Sequence, residues 1–179
     1  MMSLFKKSLI VFSFLIVTFA SQANTDLASL KARYFDAARE GNQAMLEAFY
    51  DAGLDANVAD EKGYTALILA AYHGHTDTVD YLINTAKANP CQEDNRGNTA
   101  LMVAIFKGHV SVAKQLVFAD CNIDEENEQG QTALMFASLF DRQEIINTLI
   151  DKGADTHHKD KAGNTVADIA LSQGNYALR

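Results

Sequence analysis

Short apolar stretches alternate with polar turns along this chain, and one unit of the alternation fills 33 or 34 residues. In the unit that starts at Asp60, one apolar stretch runs from Thr65 to Tyr72 and a second runs from Val79 to Ile83. Thr65 is a favourable N-cap residue, and the apolar positions after it have helical spacing. A glycine between the two stretches permits the left-handed backbone that ends a helix. The unit therefore predicts two short antiparallel helices followed by an extended turn.

The ten glycines of the chain mark this repeat. One series precedes the first helix of each unit: Gly63, Gly97, Gly130 and Gly163. A second series follows that helix: Gly41, Gly74, Gly108 and Gly174. The second series lacks one member, because Asp141 stands where the period requires glycine, and Gly53 and Gly153 lie at the ends of second helices. A fixed period of this length predicts stacked copies of one unit, each of which buries the apolar face of its neighbour.

The residues of each unit resemble the ankyrin repeat, whose pattern reads roughly D-x-x-G-x-T-P-L-H-x-A-A-x-x-G-H, then I-V-x-L-L and G-A-D-x-N. The blocks that begin at Thr65, Thr99 and Thr132 carry the resemblance, together with the Gly-His pairs that end in His75 and His109. The resemblance implies an all-α fold, an ankyrin-repeat solenoid of stacked helix-turn-helix units with hairpin-like fingers. The implied repeats cover residues 26–58, 59–92, 93–125 and 126–158, with a C-terminal half-repeat at 159–179.

The chain departs from that pattern in a consistent way. The proline of the pattern is replaced by Ala66, Ala100, Ala133 and Val166, and its histidine is replaced by Ile68, Met102, Met135 and Asp168. Alanine is the best helix former, so the start of each first helix is retained. One extra residue near Thr85 and Ala86, just before Pro90, predicts a local distortion at the end of that helix or in the adjoining finger.

The first 23 residues follow a different pattern. Lys6 and Lys7 precede an uncharged run from Leu9 to Ala20, which is followed by Ser21-Gln22-Ala23. This arrangement is typical of a secretory signal peptide, and the run is shorter than the ~20 apolar residues that a membrane-spanning helix needs. We therefore predict a signal peptide at 1–23, cleavage near Ala23 and one domain at 24–179. The mature domain is expected in the periplasm, or secreted, without stable membrane insertion.

Charge narrows the partners that this chain can bind. It has 15 basic and 23 acidic residues and a net charge of −8. Nucleic acid and anionic membranes repel such a surface, so the predicted partner is a protein and the predicted state is a monomer. The excess of acidic residues would attract a basic partner toward the protein. The alternative is that these residues only keep the surface solvated.

The sequence contains no catalytic signature, such as a nucleophile elbow, a phosphate-binding loop or a zinc-protease helix motif. His75 and His109 occupy the Gly-His position of the repeat, which favours a structural role over metal binding. His73 with His75, and His157 with His158, are close in sequence but lack a third ligand at recognisable spacing. We therefore predict that the protein is not an enzyme and holds no cofactor and no metal.

Cys91 and Cys121 lie in the exit turns of adjacent repeats, three positions out of step. Export would place them in an oxidising compartment, where disulfides persist. Stacked helices sit ~8–10 Å apart, whereas a disulfide needs Cα atoms within ~7 Å, and the extra residue before Pro90 would close that gap. A Cys91–Cys121 bridge and two separate thiols both remain open.

The resemblance also implies where a partner binds, because ankyrin-like proteins usually use the concave side that fingers and first helices form. The predicted partner-binding residues are Tyr64, Tyr72, His73, Arg96, Phe106, Lys107, Leu139 and Phe140. Among them Tyr64, Tyr72, Phe106 and Phe140 are the aromatic anchors, since interfaces favour such rings at their buried centres. The alternative is that these rings pack between repeats and belong to the core.

These observations predict an exported module that binds a partner protein. Some exported bacterial proteins that look like this one resemble accessory factors of oxidative-stress enzymes such as catalase, and others resemble immunity proteins that neutralise a periplasmic toxin. Both roles need a specific protein partner. A metal-binding or enzymatic repeat protein is less favoured, because only His73, His75 and the acidic fingers offer titratable groups that converge.

Overall fold

The structure, a computed structural model, describes residues 28–174. The chain divides into two units, Met1–Tyr34 and Phe35–Arg179. Residues 28–34 of the first unit are helical, and the helix to which they belong, α1, covers residues 28–40. The predicted signal peptide and its cleavage site lie outside the described residues. Among residues 28–174, no helix is long and apolar enough to cross a membrane.

The second unit is a succession of short helices arranged in pairs. After α1 they are α2 Gln43–Asp51, α3 Ala66–His73, α4 Thr76–Asn84, α5 Ala100–Lys107, α6 Val110–Val117, α7 Ala133–Leu139, α8 Gln143–Asp151 and α9 Val166–Ser172. The first helices α3, α5, α7 and α9 pack against one another in that order, and α4, α6 and α8 form a second row. The helices α3, α5 and α7 also pack on α4, α6 and α8, the second helices of their own pairs. The predicted all-α fold of stacked helix-turn-helix units is confirmed.

A threonine starts each first helix from α3 onward. Its hydroxyl accepts a hydrogen bond from the backbone N–H three residues later, which satisfies one of the free donors at a helix start. The four pairs are Thr65 with Ile68, Thr99 with Met102, Thr132 with Met135, and Thr165 with Asp168. Ile68, Met102 and Met135 are each 1% exposed, so the apolar residues that replace the histidine of the pattern have joined the core.

The core lies between the two rows of helices. The first helices contribute small residues, such as Ala70 and Ala104, that let neighbouring helices approach closely. The second helices bury one face only, and the buried leucines of that face are Leu46, Leu82, Leu116 and Leu149. Burial of a leucine side chain stabilises a fold by about 1.5–3 kcal/mol. Every repeat therefore depends on its neighbours, because its apolar residues are covered from both sides.

The fingers between the helix pairs are joined by backbone hydrogen bonds of 2.9–3.0 Å. The N–H of one fingertip donates to a carbonyl of the preceding fingertip: Asn95 to Lys62, Glu128 to Arg96, and Lys161 to Gln129. Inside each finger, a side-chain oxygen accepts bonds from N–H groups two and four residues later, at Asp60, Asp94, Asn127 and Asp160. The fingers are therefore ordered turns that hold one another in register.

Among residues 28–174, two residues other than glycine have a left-handed backbone, and both lie in turns. Asp141, at the position where the glycine series is interrupted, has φ of 51°. Lys87 has φ of 58° and stands where Gly53 and Gly153 have φ of 89° and 90°. Lys87 follows the extra residue of its repeat. The extra residue that the sequence places near Thr85 and Ala86 is therefore accommodated in the turn just after α4, and Lys87 there adopts the left-handed backbone that glycine has in two other repeats.

Candidate functional site

The C-terminal ends of α3, α5 and α7 carry a row of side chains that we call the helix-end row. It consists of Tyr72, His73, Phe106, Lys107, Leu139 and Phe140. Tyr72 is 38% exposed and Phe106 is 47% exposed, and both precede the residue that ends their helix. Leu139 and Phe140 are half-buried and therefore less accessible to solvent than Tyr72 and Phe106. The row is therefore most accessible on α3 and α5.

Contacts between repeats hold the aromatic rings of this row. The Lys107 ammonium lies 4.6 Å from the centre of the Tyr72 ring, the geometry of a cation–π contact. Phe106 meets Phe140 edge to face with ring centres 5.2 Å apart, and Phe140 lies 6.4 Å from Phe136. The rings of the row therefore differ in how far they are buried. Phe140 leans into the repeat interface, while Tyr72 and Phe106 combine contact between repeats with an open face.

Two histidines fix the backbone beneath the row. The Nε2–H of His75 donates to the Arg39 carbonyl at 2.7 Å, and that of His109 donates to the Tyr72 carbonyl at 3.0 Å. Each ring occupies the space above a glycine of the preceding repeat, because a Cβ on Gly41 or Gly74 would lie 2.7 or 2.6 Å from ring atoms. These glycines therefore provide both a left-handed turn and room for the next histidine.

His73 stands at the centre of a group of basic side chains. Its ring lies 5.0 Å from that of Tyr72 and 6.1 Å from that of His75. Burial lowers the pKa of His73, and the nearby basic groups His75, Arg39, Lys107 and His109 lower it further. Within the described residues no three His, Cys, Asp or Glu side chains are placed to hold a metal ion.

The fingers contribute the two remaining predicted residues, Tyr64 and Arg96. Tyr64 is half-buried, and its N–H donates to the Asp60 carboxylate at 2.9 Å. Arg96 is exposed at a fingertip, where its carbonyl accepts the bond from the next finger. The side chain of Arg96 forms no ion pair with any residue of the described part of the chain.

At the base of the fingers, one position in each repeat links it to the next repeat. The Asn57 side chain accepts the N–H of Asn89 at 2.7 Å, and the Asp124 carboxylate accepts the N–H of Asp155 at 2.9 Å. Cys91 occupies the position between these two, 34 residues after Asn57 and 33 before Asp124. It forms a disulfide with Cys121 across a Cα–Cα distance of 5.4 Å. A covalent bond thus replaces a side-chain-to-backbone hydrogen bond.

Sequence reasoning overlooked this linking position, although the period contains the signal. Asn57, Cys91 and Asp124 share one place in the repeat, and two of the three have side-chain oxygens. It also overlooked Arg142, which stands where His75 and His109 stand in earlier repeats. The guanidinium of Arg142 lies over Gly108, and its buried Nε has no hydrogen-bond partner within the described residues.

A family model for ankyrin repeats in three copies matches residues 34–127 and 111–178, which is well over half of the chain. The chain belongs to the ankyrin repeat family. The family predicted from the glycine series and the threonine blocks is therefore confirmed. Ankyrin repeats are modules for protein–protein interaction, and proteins built from them are generally not enzymes.

Curated relatives match this ankyrin repeat protein over parts of their length. An ankyrin repeat protein of Pseudomonas aeruginosa is 51% identical over 45 residues, which are 25% of this chain and 26% of that protein. An ankyrin repeat-containing protein of Treponema pallidum is 33% identical over 126 residues, 69% of this chain and 42% of the relative. An L-asparaginase of Dirofilaria immitis is 28% identical over 142 residues, 79% of this chain and 24% of the enzyme. The chain spans less than half the length of each of these relatives.

Proposed function

We propose that this ankyrin repeat protein binds a partner protein through the helix-end row, with Tyr64 and Arg96 of the fingers at its margin. The observation that carries the proposal is the pair Tyr72 and Phe106, two large rings that keep an open face while their repeats are held in place. Exposed apolar rings at fixed positions favour a protein that covers them.

Rigidity of the row supports the same proposal. The carbonyl of Tyr72 is held by His109, its ring by Lys107, and the Phe106 ring by Phe140. A surface ordered before binding loses little conformational entropy when its partner docks. The row thus has both features of an interface centre, which are aromatic area and preorganisation.

We further propose that the protein acts after export, as an accessory factor of an oxidative-stress enzyme of the cell envelope. The leader-like sequence around Lys6 and Lys7 supports export, and the Cys91–Cys121 disulfide suits an oxidising compartment. We assign no catalytic step to this chain. Fractionation of the producing cells tests the location: we expect a chain that lacks residues 1–23 in the periplasm or the medium, and an uncleaved cytoplasmic chain contradicts export.

Site-specific photo-crosslinking tests the proposed surface. A photoreactive phenylalanine analogue replaces either Phe106 or, as a matched control, Phe118, which is 65% exposed at the end of α6. In the producing cells we expect one discrete adduct with a second protein from the Phe106 position and none from Phe118. Tyr72→Ala in the same chain should remove the adduct without lowering the melting temperature by more than a few degrees. Equal adducts from both positions, or none from Phe106, contradict the proposal.

A further inference from the structure

The helix-end row is basic at its centre although the whole protein carries a net charge of −8. Lys107 and His73 are exposed there, and Arg39, His75 and His109 lie close enough to lower the pKa of His73 after the effect of burial. Two carboxylates lie beside the Arg39 guanidinium of this group. Asp36 pairs with Arg39 at 2.7 Å, and Asp60 lies 3.8 Å from the same guanidinium.

Lys107 is the cation of this row that remains available. Within residues 28–174 its ammonium forms no ion pair, and it contacts the ring of Tyr72. An ammonium over a ring face uses its charge but leaves N–H donors free for an acceptor. A donor thus lies over the ring of Tyr72, and Phe106, the residue before Lys107 in the chain, is also exposed.

Negative charge gathers elsewhere, on the second helices α2 and α4. The rings of Tyr50 and Tyr81 stack there at 6.2 Å. Burial raises the pKa of Tyr81, and Glu47 and Asp51 raise it further. The net acidity of the protein therefore says little about the helix-end row, and the basic partner that net charge suggests would meet Lys107 and His73 at this surface.

We propose that the row binds a short acidic segment of the partner protein that also carries an aromatic or branched apolar side chain. A carboxylate of the segment pairs with Lys107, and the apolar side chain covers Tyr72 and Phe106. Charge-assisted hydrogen bonds are about twice as strong as neutral ones, which makes Lys107 the main determinant of this choice. The inference rests on the proposed function and adds the chemistry of the partner.

The test is a selection of random peptides displayed on phage against the full chain, followed by counter-selection with the Tyr72→Ala/Phe106→Ala variant. The peptides that survive depend on the row. We expect them to be acidic and to contain Phe, Trp or Leu. Lys107→Glu should weaken the best of them about tenfold or more, and Lys107→Gln should weaken them less, as expected for loss of a close charge pair.

Lys152 provides the matched control, because its ammonium lies 4.0 Å from the centre of the Phe118 ring. Lys152→Glu makes the same change in net charge and breaks the same kind of contact, but away from the row. We expect it to alter peptide affinity less than twofold. Circular dichroism and thermal unfolding of all variants verify that they fold.

The outcomes separate the two proposals. Row-dependent peptides that are basic or neutral, or equal losses from Lys107→Glu and Lys152→Glu, overturn the acidic partner and leave the binding surface intact. Absence of any row-dependent peptide overturns both. A single-stranded oligonucleotide is the anionic probe of another class, and its tight binding to the row would also overturn a protein segment as the natural ligand.

Discussion

Two successive interfaces between repeats are held together by different side-chain contacts. Between α3 and α5, His109 stands over Gly74 and donates to the Tyr72 carbonyl, and the Cys91–Cys121 disulfide joins the two repeats. Between α5 and α7, Arg142 takes the place of the histidine over Gly108. At the base of the fingers, that interface has the hydrogen bond from the Asp155 N–H to Asp124 in place of a covalent bond.

The difference shows where a repeat protein can vary without a change of fold. Its stability is close to a sum of repeat and interface contributions, so each interface can be strengthened or weakened separately. A buried donor without a partner costs about 1–3 kcal/mol, which applies to the Nε of Arg142. We therefore expect the α5–α7 interface to open before the α3–α5 interface.

Removal of the disulfide should have the largest effect on the difference in stability between the α3–α5 and α5–α7 interfaces. We expect Cys91→Ala/Cys121→Ala to lower the free energy of unfolding by about 3–4 kcal/mol, because the loop that the bridge closes spans 30 residues. Cys91→Asn/Cys121→Ala should recover about 1 kcal/mol, since asparagine at this position can accept an N–H as Asn57 does. Urea unfolding under oxidising conditions measures both. Equal stability of the double-alanine variant and the natural chain contradicts a stabilising role for the bridge.

Substitution of glycines by alanine distinguishes two effects on stability. One is steric overlap with the histidine ring of the next repeat, and the other is strain in the left-handed backbone. Gly53, Gly74 and Gly108 have φ of 89°, 79° and 79°, so alanine is strained by about 1–2 kcal/mol at each. A Cβ at Gly53 meets nothing within 4 Å, one at Gly108 meets the flexible end of Arg142, and one at Gly74 meets the His109 ring at 2.6 Å.

From these contacts we expect Gly74→Ala to lower the free energy of unfolding by about 1 kcal/mol more than Gly108→Ala does, because the bond from His109 is also lost. Gly53→Ala should cost least, since it reports strain alone. Thermal and urea unfolding of the three variants give the order. If all three lose the same stability, the histidine contact does not contribute.

Introducing the Gly-His pair of two other repeats at positions 141 and 142 should stabilise the α5–α7 interface. We expect Asp141→Gly/Arg142→His to raise the free energy of unfolding by about 1–2 kcal/mol. Glycine relieves the positive φ of Asp141, and histidine can donate to the Phe106 carbonyl, which is the counterpart of the Tyr72 carbonyl. Hydrogen exchange of α7 and α8 should slow in parallel. Faster exchange there would show that Arg142 stabilises this interface better than histidine.

The smallest expected effect is on how the free energy of unfolding depends on pH. The pKa of His73 is lowered in the folded state, so the unfolded chain binds more protons as pH falls below about 6.5. The free energy of unfolding should therefore decrease from pH 7 toward the lower folded pKa. His73→Gln should make this pH dependence shallower. Phe140 takes the corresponding place two repeats later, and its replacement by Leu should leave the pH dependence unchanged.

Much of the fold follows from local signals in the sequence. A threonine cap and the glycine or Asp141 after each first helix act within one repeat, so the period alone locates them. The left-handed backbone of Asp141 is an example, because it occurs where the glycine series predicts a turn.

The parts that sequence reasoning left open depend on atoms of the neighbouring repeat. The pairing of Cys91 with Cys121 depends on how the exit turns of two adjacent repeats stack, which places their Cα atoms 5.4 Å apart. The half-burial of Phe140, compared with the open face of Phe106, depends on how the ring of Phe140 packs near Phe136. Neither feature is encoded in the spacing of residues within one repeat.

The disulfide also sets a mechanical limit on the molecule. A chain pulled from its two ends can release its outer repeats one after another, but the segment between Cys91 and Cys121 cannot lengthen while the bridge is intact. That segment spans 30 residues and would otherwise add about 100 Å of contour length. A tether through the oxidised protein is therefore shorter at full extension, and α5 and α6, which lie between the two cysteines, carry no load.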